Sequence, residues 1–504
     1  MTRTEAFVKN VLSTALSQIV TMLAGFVIPR VMLTVYGSEV NGLVTSVTQF
    51  ISYFSLVEAG IGASTVYSLY SPLADNDTAR INSIITASRT FYFKTGYIFL
   101  TLIAAGALVY PIFIKTNLLS NLEVGALFFI LGFNSVIDFF ALAKYRSLLT
   151  ASQKTYVISL ANIASTVLNC LVIVVFSYLG FSIVVVRLIA LFAIVVRSLI
   201  LWVYCRKKFS YIRFDVEPDN TALNKRWDAL YLQILGAIHS GAPTIIATFI
   251  LSLEQVSIYS IFNIVVAGIG SILGIFTSGL SAGFGDLISR SDDVVFERAF
   301  RQFEYVYYML IAIVYSITFV MYMPFIRLYT NGADISYNYP LLAVLMAING
   351  YFYNLKTPYG MLVISEGMYK ETRWATTLQG LIEVGASVVL AFPFGIYGIV
   401  IGVLLSNLYR DVQFLFYAEG HLIPFKIRKT LELQARSVIL FFAVSFALLK
   451  LPFVDLAISV SSWIIKAVFV SIISCAVIVG INILFDRKLF KQTLSRFTSL
   501  LSRG

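Results

Sequence analysis

The sequence predicts an all-α polytopic membrane protein: about fourteen transmembrane helices, arranged as two parallel six-helix halves plus a C-terminal helix pair. Three observations carry that prediction. The chain is 59% hydrophobic and only 12% charged, with a mean hydropathy of +0.85. That leaves too little polar side chain to keep 504 residues dissolved in water. The apolar runs are continuous over about 20 residues, the length a helix needs to cross a bilayer, and do not alternate as barrel strands would. Finally, landmarks of the first half return in the second at a nearly constant offset.

The expected spans are 10–35, 42–70, 81–114, 122–149, 156–178, 182–204, 227–252, 257–288, 298–327, 339–364, 373–394, 397–418, 433–450 and 460–484. The first begins after Arg3 and Lys9 and runs through Pro29 without a cleavage site, so it is read as a retained span rather than a signal peptide. Several spans exceed 20 residues, which calls for tilt or kinks, and Pro29, Pro72, Pro111, Pro243, Pro324, Pro358 and Pro393 supply the kinks. With the N-terminus cytoplasmic, the inner loops and tails hold 24 Lys and Arg and the outer loops hold Lys115, Arg327 and Lys450. The positive-inside rule then places both termini inside.

The repeat supports the same count. Glu39-Val40 corresponds to Gln255-Val256 at an offset of 216, Pro111-Ile112-Phe113-Ile114 to Pro324-Phe325-Ile326 at 213, and Ser152-Gln153 to Glu366-Gly367 at 214. Six spans is an even number, so the halves are parallel, an architecture in which substrate passes between them. The domains expected are an N-terminal bundle at 1–205, a charged cytoplasmic linker at 206–226, a second bundle at 227–418, two further helices at 419–485, and a basic tail at 486–504. In the tail, Phe490, Leu494, Phe497 and Leu501 recur at helical spacing against Lys491 and Arg496, as in a helix lying on an anionic leaflet.

No catalytic constellation is present. His239 and His421 are the only histidines, without a Cys or carboxylate cluster beside them, so no metal site is expected. Cys170, Cys205 and Cys475 read as small apolar packing residues. No Gly-rich phosphate loop with Lys occurs, so the chain does not hydrolyse ATP and is not expected to be an enzyme or to carry a cofactor. The net charge of +11 sits mostly in loops on one side, which argues for membrane topology and against a nucleic-acid partner.

Charge inside the spans is the informative feature, because each ionisable group there costs about 2.5–3.5 kcal/mol on insertion scales. Ten cations lie in or at the margins of spans: Arg30, Arg89, Lys94, Lys144, Arg146, Arg187, Arg197, Lys356, Arg410 and Lys466. Embedded acids are fewer: Glu58, Asp138, Glu383 and Asp411 are the clearest. A cationic excess around a membrane cavity implies an anionic passenger, and guanidinium suits phosphate oxygens. Arg30, Arg89, Lys94, Lys356 and Arg410 are therefore the candidate substrate-binding residues, with Lys356 the most central. Lys144, Arg146 and Arg197 lie within two turns of the inner face, where snorkelling accounts for them, so Arg146→Ala is expected to be mild. Glu58, Asp138 and Glu383 are candidate couplers of H⁺ or Na⁺, with structural pairing the competing explanation.

The opening hairpin adds a resemblance. Pro29-Arg30, then Tyr36-Gly37-Ser38-Glu39-Val40-Asn41-Gly42, then Tyr53-Phe54-Ser55-Leu56-Val57-Glu58-Ala59-Gly60-Ile61-Gly62 resembles the start of the Wzx-type polysaccharide flippases. These belong to the superfamily that also holds the multidrug and toxic-compound exporters and the lipid II flippase, so the fold expected is of that exporter type. The resemblance implies an undecaprenyl-diphosphate-linked oligosaccharide moved from the inner to the outer leaflet of a bacterial plasma membrane. It implies a V-shaped pair of bundles under alternating access, driven by membrane potential or by H⁺ or Na⁺. The partners it implies are membrane lipids and the polysaccharide polymerase and chain-length machinery, in capsule, O-antigen or exopolysaccharide assembly. The alternative within the same fold is a cation-coupled multidrug antiporter, which would favour a cavity of acids and aromatics.

Overall fold

The computed structural model describes residues 3–58, 60–219, 226–289, 293–366, 368, 370–423, 425–450 and 459–501. Among these, every regular element is a helix. The chain opens with α1 (Arg3–Val31), which contains Pro29 and widens into a π turn at Met32–Tyr36. Next come α2 (Ser38–Phe54), a tight turn at Ser55–Glu58, α3 (Ile61–Ala74) and α4 (Thr78–Phe113). α5 (Asn121–Ile137) runs through a π turn at Asp138–Leu142 into α6 (Ala143–Ala151), followed by α7 (Thr155–Tyr178) and α8 (Ile183–Lys208). The second half has α9 (Arg226–Ile250), α10 (Leu253–Ser289), α11 (Asp293–Tyr329), α12 (Pro340–Leu355), α13 (Thr357–Ser365), α14 (Arg373–Phe394) and α15 (Ile396–His421). Then follow α16 (Arg428–Leu449), α17 (Val460–Phe485) and the tail helix α18 (Arg487–Leu501).

Each of the fourteen expected spans coincides with one of these helices or with a broken pair. Eleven are long and apolar enough to cross a bilayer among the described residues. The other three are α2 with α3, α9, whose apolar part is Gly236–Ile250, and α12 with α13. Large apolar side chains such as Leu108, Ile112, Leu188, Phe392, Ile465 and Ile472 stay exposed along the helices, as they would against lipid. The chain is a multi-pass membrane protein.

Contacts divide it into two compact units. Unit 1 is Met1–Ser260 with Ala333–Ile335, and unit 2 is Ile261–Gly332 with Ser336–Gly504. Three helix pairings recur: α4 on α5, α5 on α8 and α7 on α8 in unit 1, and α11 on α12, α12 on α15 and α14 on α15 in unit 2. The core of unit 1 is aliphatic and phenylalanine-rich, with Leu43, Val47, Phe99, Ile103, Leu127 and Phe128 fully buried. That of unit 2 is rich in tyrosine, and several of the hydroxyls find partners: Tyr307 donates to Asn354 at 3.2 Å, Tyr351 to Ser437 at 2.8 Å and Tyr322 to the carbonyl of Phe262 at 2.6 Å.

The polar hinge 36–42 fixes one end of unit 1, residue by residue. The Tyr36 hydroxyl donates to the carbonyl of Phe181 at 2.8 Å, and Glu39 accepts from the backbone of Asn117 at 3.0 Å. The Ser38 amide donates to both oxygens of Asp334 at 3.0 Å, which places a carboxylate at the positive end of α2. Asn41 donates to Ser257 Oγ at 2.8 Å. Gly42 lets α2 meet the start of α10 so closely that a Cβ there would lie 1.8 Å from the carbonyl oxygen of Leu253. The motif that carries the family resemblance is thus a packing device.

Candidate functional site

Charged side chains gather where helices are irregular. In unit 1, α2 ends at Phe54 and the turn 55–58 presents Glu58; Gly60, at φ +85°, supplies the left-handed residue that starts α3 in a new direction. Asp138 opens the π turn between α5 and α6, a conformation that redirects side chains. Arg146 of α6 spans the two acids: its Nη2 donates to Glu58 Oε1 at 2.7 Å and its Nη1 to Asp138 Oδ2 at 2.9 Å. Arg197 of α8 stands 3.8 Å from the other Asp138 oxygen. Two acids and two guanidinium groups form a charge-balanced network, with the carboxylates about four-fifths enclosed. The expectation that Arg146 and Arg197 merely snorkel is corrected here, because both turn inward to the acids.

A second group in unit 1 has the opposite character. Arg89 of α4 lies 5.3 Å from the Phe93 ring and 5.1 Å from Phe214, and Lys144 of α6 lies 5.6 and 5.5 Å from the same two rings. Among the described residues neither cation is ion-paired with a carboxylate. Cation–π contacts hold them, with Lys144 also donating to the carbonyl of Phe140 at 3.4 Å. Phe214 comes from the segment after α8, tied to α4 by Ser83 donating to the carbonyl of Glu217 at 2.6 Å and Asn82 to that of Tyr211 at 3.1 Å.

Unit 2 concentrates its polar groups where the α12–α13 rod breaks, at Lys356. The break tilts the ammonium into the bundle, where it donates to Asn407 Oδ1 of α15 at 2.7 Å; the Asn407 amide in turn donates to Asn349 at 2.9 Å. Arg410, one turn along α15, donates to Thr376 at 2.7 Å and Gln413 at 2.9 Å and lies 4.0 Å over Phe414. Asp411 accepts from Gln434 at 3.2 Å. Glu383 of α14 is fully buried and accepts from Ser406 at 3.4 Å. Arg410, Glu383 and Asp411 are the charged neighbours of Lys356. Near the start of α11 a separate knot forms: buried Glu304 accepts from Arg301 at 3.1 Å, Thr430 at 2.8 Å and Tyr359 at 2.9 Å. Arg301 also donates to the carbonyl of Lys426 at 3.0 Å.

No family model and no curated protein matches the sequence. The fold does match solved structures. A lipid II flippase, MurJ in an inward closed conformation, superposes with a TM-score of 0.70 at 14% identity, over 95% of this chain and 99% of that one. This is the fold of the MOP-superfamily transporters. A multidrug-resistance MATE transporter of that superfamily, inward-facing, gives 0.65 at 16% identity over 79% and 94%. A MOP-superfamily transporter from Pyrococcus furiosus, described as having a binding pocket of reversed polarity, gives 0.59 at 16% identity over 82% and 95%. All three are named as transporters or flippases, and none as an enzyme.

On the MOP fold, the candidates separate. Lys356, Arg410 and Glu383 come together in unit 2, Glu58 and Asp138 share one network in unit 1, and Arg89 joins Lys144. Lys94 is exposed on α4, and Arg30 sits in the last turn of α1, its carbonyl accepting from Thr34 at 3.0 Å. Two residues escaped sequence reasoning. Glu304 stands three residues after Arg301 among aromatic neighbours, and that i,i+3 spacing of a buried pair is the signal that could find it. Arg146 looks peripheral in the sequence because the turns that bring its partners to it leave little trace in hydropathy.

Proposed function

We propose that the protein is a flippase that moves undecaprenyl-diphosphate-linked oligosaccharide repeat units from the inner to the outer leaflet of a bacterial plasma membrane by alternating access, for cell-surface polysaccharide assembly. The observation that carries this reading is the carboxylate-free pair Arg89 and Lys144 between Phe93 and Phe214. Two cations with aromatic walls and, among the described residues, no counter-ion suit a multiply charged anion such as a diphosphate. Glu58, Asp138 and Glu304, the acids a cation antiporter would need free, each contact an arginine. The fold shared with a lipid II flippase supports the same class of cargo.

In this reading Arg30, Arg89, Lys94, Lys356 and Arg410 engage the substrate, and Glu58, Asp138 and Glu383 are the candidates for coupling to H⁺ or Na⁺. Both termini are cytoplasmic, and an anion leaving an inside-negative cell gains about 2.3 kcal/mol per charge per 100 mV, so no ATP is required. The expected substrate and partners follow from that placement: the lipid-linked glycan, membrane lipids, and the polymerase and chain-length machinery. Reconstituted protein should flip the lipid-linked glycan, and Arg89→Ala should slow flipping about tenfold, equivalent to about 1.4 kcal/mol. Efflux of a cationic dye against a proton or sodium gradient, with no flipping, would replace this reading by the antiporter.

A further inference from the structure

Unit 1 contains a cavity of about 480 Å³ between α2, α5, α7 and α8, whose lining residues Ser55, Ser135 and Ile194 stand three residues before Glu58, Asp138 and Arg197 of the ion network. Its lining includes Ser52, Asn134, Ser165, Thr166, Asn169 and Arg187. The room comes from α8, where Ala190 and Ala193 follow Arg187 at one and two turns and present no bulk. No Asp or Glu lines this cavity.

Arg187 is the uncommon feature. It lies four residues inside the start of α8 and is half-buried, with its Nε wholly enclosed and without a hydrogen-bond partner. Its Nη2 reaches only the thioether sulfur of Met32, at 3.7 Å, a weak acceptor. Among the described residues no carboxylate pairs with it. The side-chain amides of Asn134 and Asn169 in the same cavity likewise make no hydrogen bond among the described residues. An enclosed guanidinium nitrogen with no hydrogen-bond partner and no counter-charge is costly, and unused donors beside it raise that cost. Both are relieved by one kind of occupant: an oxyanion on the guanidinium fork, carried by a molecule whose hydroxyls meet the amides, serines and threonine.

We infer that this cavity is a binding site for an anionic sugar, its phosphate or carboxylate held by Arg187 and its hydroxyls by Asn134, Asn169 and the neighbouring serines and threonine. A volume of about 480 Å³ admits one or two sugar rings, within the range of ordinary ligand pockets. The site gives unit 1 a means of recognising the glycan, separate from the cations Arg89 and Lys144 that face a diphosphate. Naming a glycan as the ligand rests on the flippase reading; the anion site itself does not.

The test is equilibrium binding to the purified full-length protein in a neutral detergent, with glucose 1-phosphate, inorganic phosphate and glucose as probes. Wild type should bind glucose 1-phosphate saturably and more tightly than phosphate or glucose. Arg187→Gln, which keeps an amide donor in the cavity, should weaken glucose 1-phosphate about tenfold or more, and Arg187→Lys should weaken it less. Asn134→Ala with Asn169→Ala should bring its affinity down to that of phosphate without changing phosphate binding. No saturable binding by wild type, equal affinity for all three probes, or Arg187→Gln within twofold of wild type while eluting as a folded monodisperse species would each overturn the inference. A protein that binds glucose 1-phosphate through Arg187 yet moves no lipid-linked glycan overturns the flippase reading alone.

Discussion

Arg146 decides the electrostatics of unit 1, because one guanidinium neutralises two carboxylates from different helices. Removing it leaves Glu58 and Asp138 facing each other with only the more distant Arg197. Breaking a fully buried pair costs about 3–5 kcal/mol, and the partial exposure here reduces that to about 2–3 kcal/mol. Arg146→Ala should therefore lower the thermal midpoint clearly, and adding Glu58→Gln should restore part of the loss, since it removes the acid left without a cation while Asp138 keeps Arg197. Equal midpoints for wild type and Arg146→Ala would mean that the network does not hold unit 1 together. The sequence expectation of a mild effect concerned transport; the effect on stability was not legible, and the reason is physical. Hydropathy registers Arg146 only as a cation near a span end, whereas its role depends on the turn at 55–58 and the π turn at 138–142. The charges themselves were legible as embedded groups; their partners, 88 and 8 residues away, were not.

Helix boundaries were legible because length of apolar run is a strong signal, and kinks at proline were legible too, whereas breaks without proline, such as the turn at 55–58, were not, because a broken rod keeps the same composition. Lys356 shows both sides of this: its central position and the kink beside it at Pro358 were readable, but not the partner, Asn407, toward which the break turns it. The start of α2 offers the most direct tests at this scale. Gly42→Ala would place a Cβ 1.8 Å from the Leu253 carbonyl oxygen, so the two helices must separate, and folded yield by size-exclusion chromatography should fall sharply. Asp334→Ala removes the carboxylate that accepts from Ser38 and should cost about 1–2 kcal/mol, read as a lower midpoint of thermal unfolding. The knot joining α11, α13 and α16 should be costlier still. Glu304→Ala strands Arg301 beside Thr430 and Tyr359 in a buried site, a loss of about 3–5 kcal/mol.

Over the whole molecule, the two units repeat three helix pairings but differ in what they bury. Unit 1 combines an aliphatic core with a neutral ion network, a carboxylate-free pair of cations and a polar cavity. Unit 2 has a tyrosine-rich interior threaded by Lys356, Asn407 and Glu304. The sequence repeat at about 214 residues announced the helical framework but not this division of chemistry, because the matching positions are landmarks of turns rather than of the charged clusters. The proposed function gives the carboxylate-free cations an anionic cargo moved between leaflets. The most direct test is translocation of undecaprenyl-diphosphate oligosaccharide in liposomes, measured as glycan appearing on the far leaflet with and without an imposed potential, for wild type and Arg89→Ala. The account predicts flipping by wild type that accelerates when the potential favours anion exit, and a loss of about tenfold in Arg89→Ala with insertion unchanged. Flipping at the wild-type rate in Arg89→Ala and Lys144→Ala alike, with no response to potential, would contradict it.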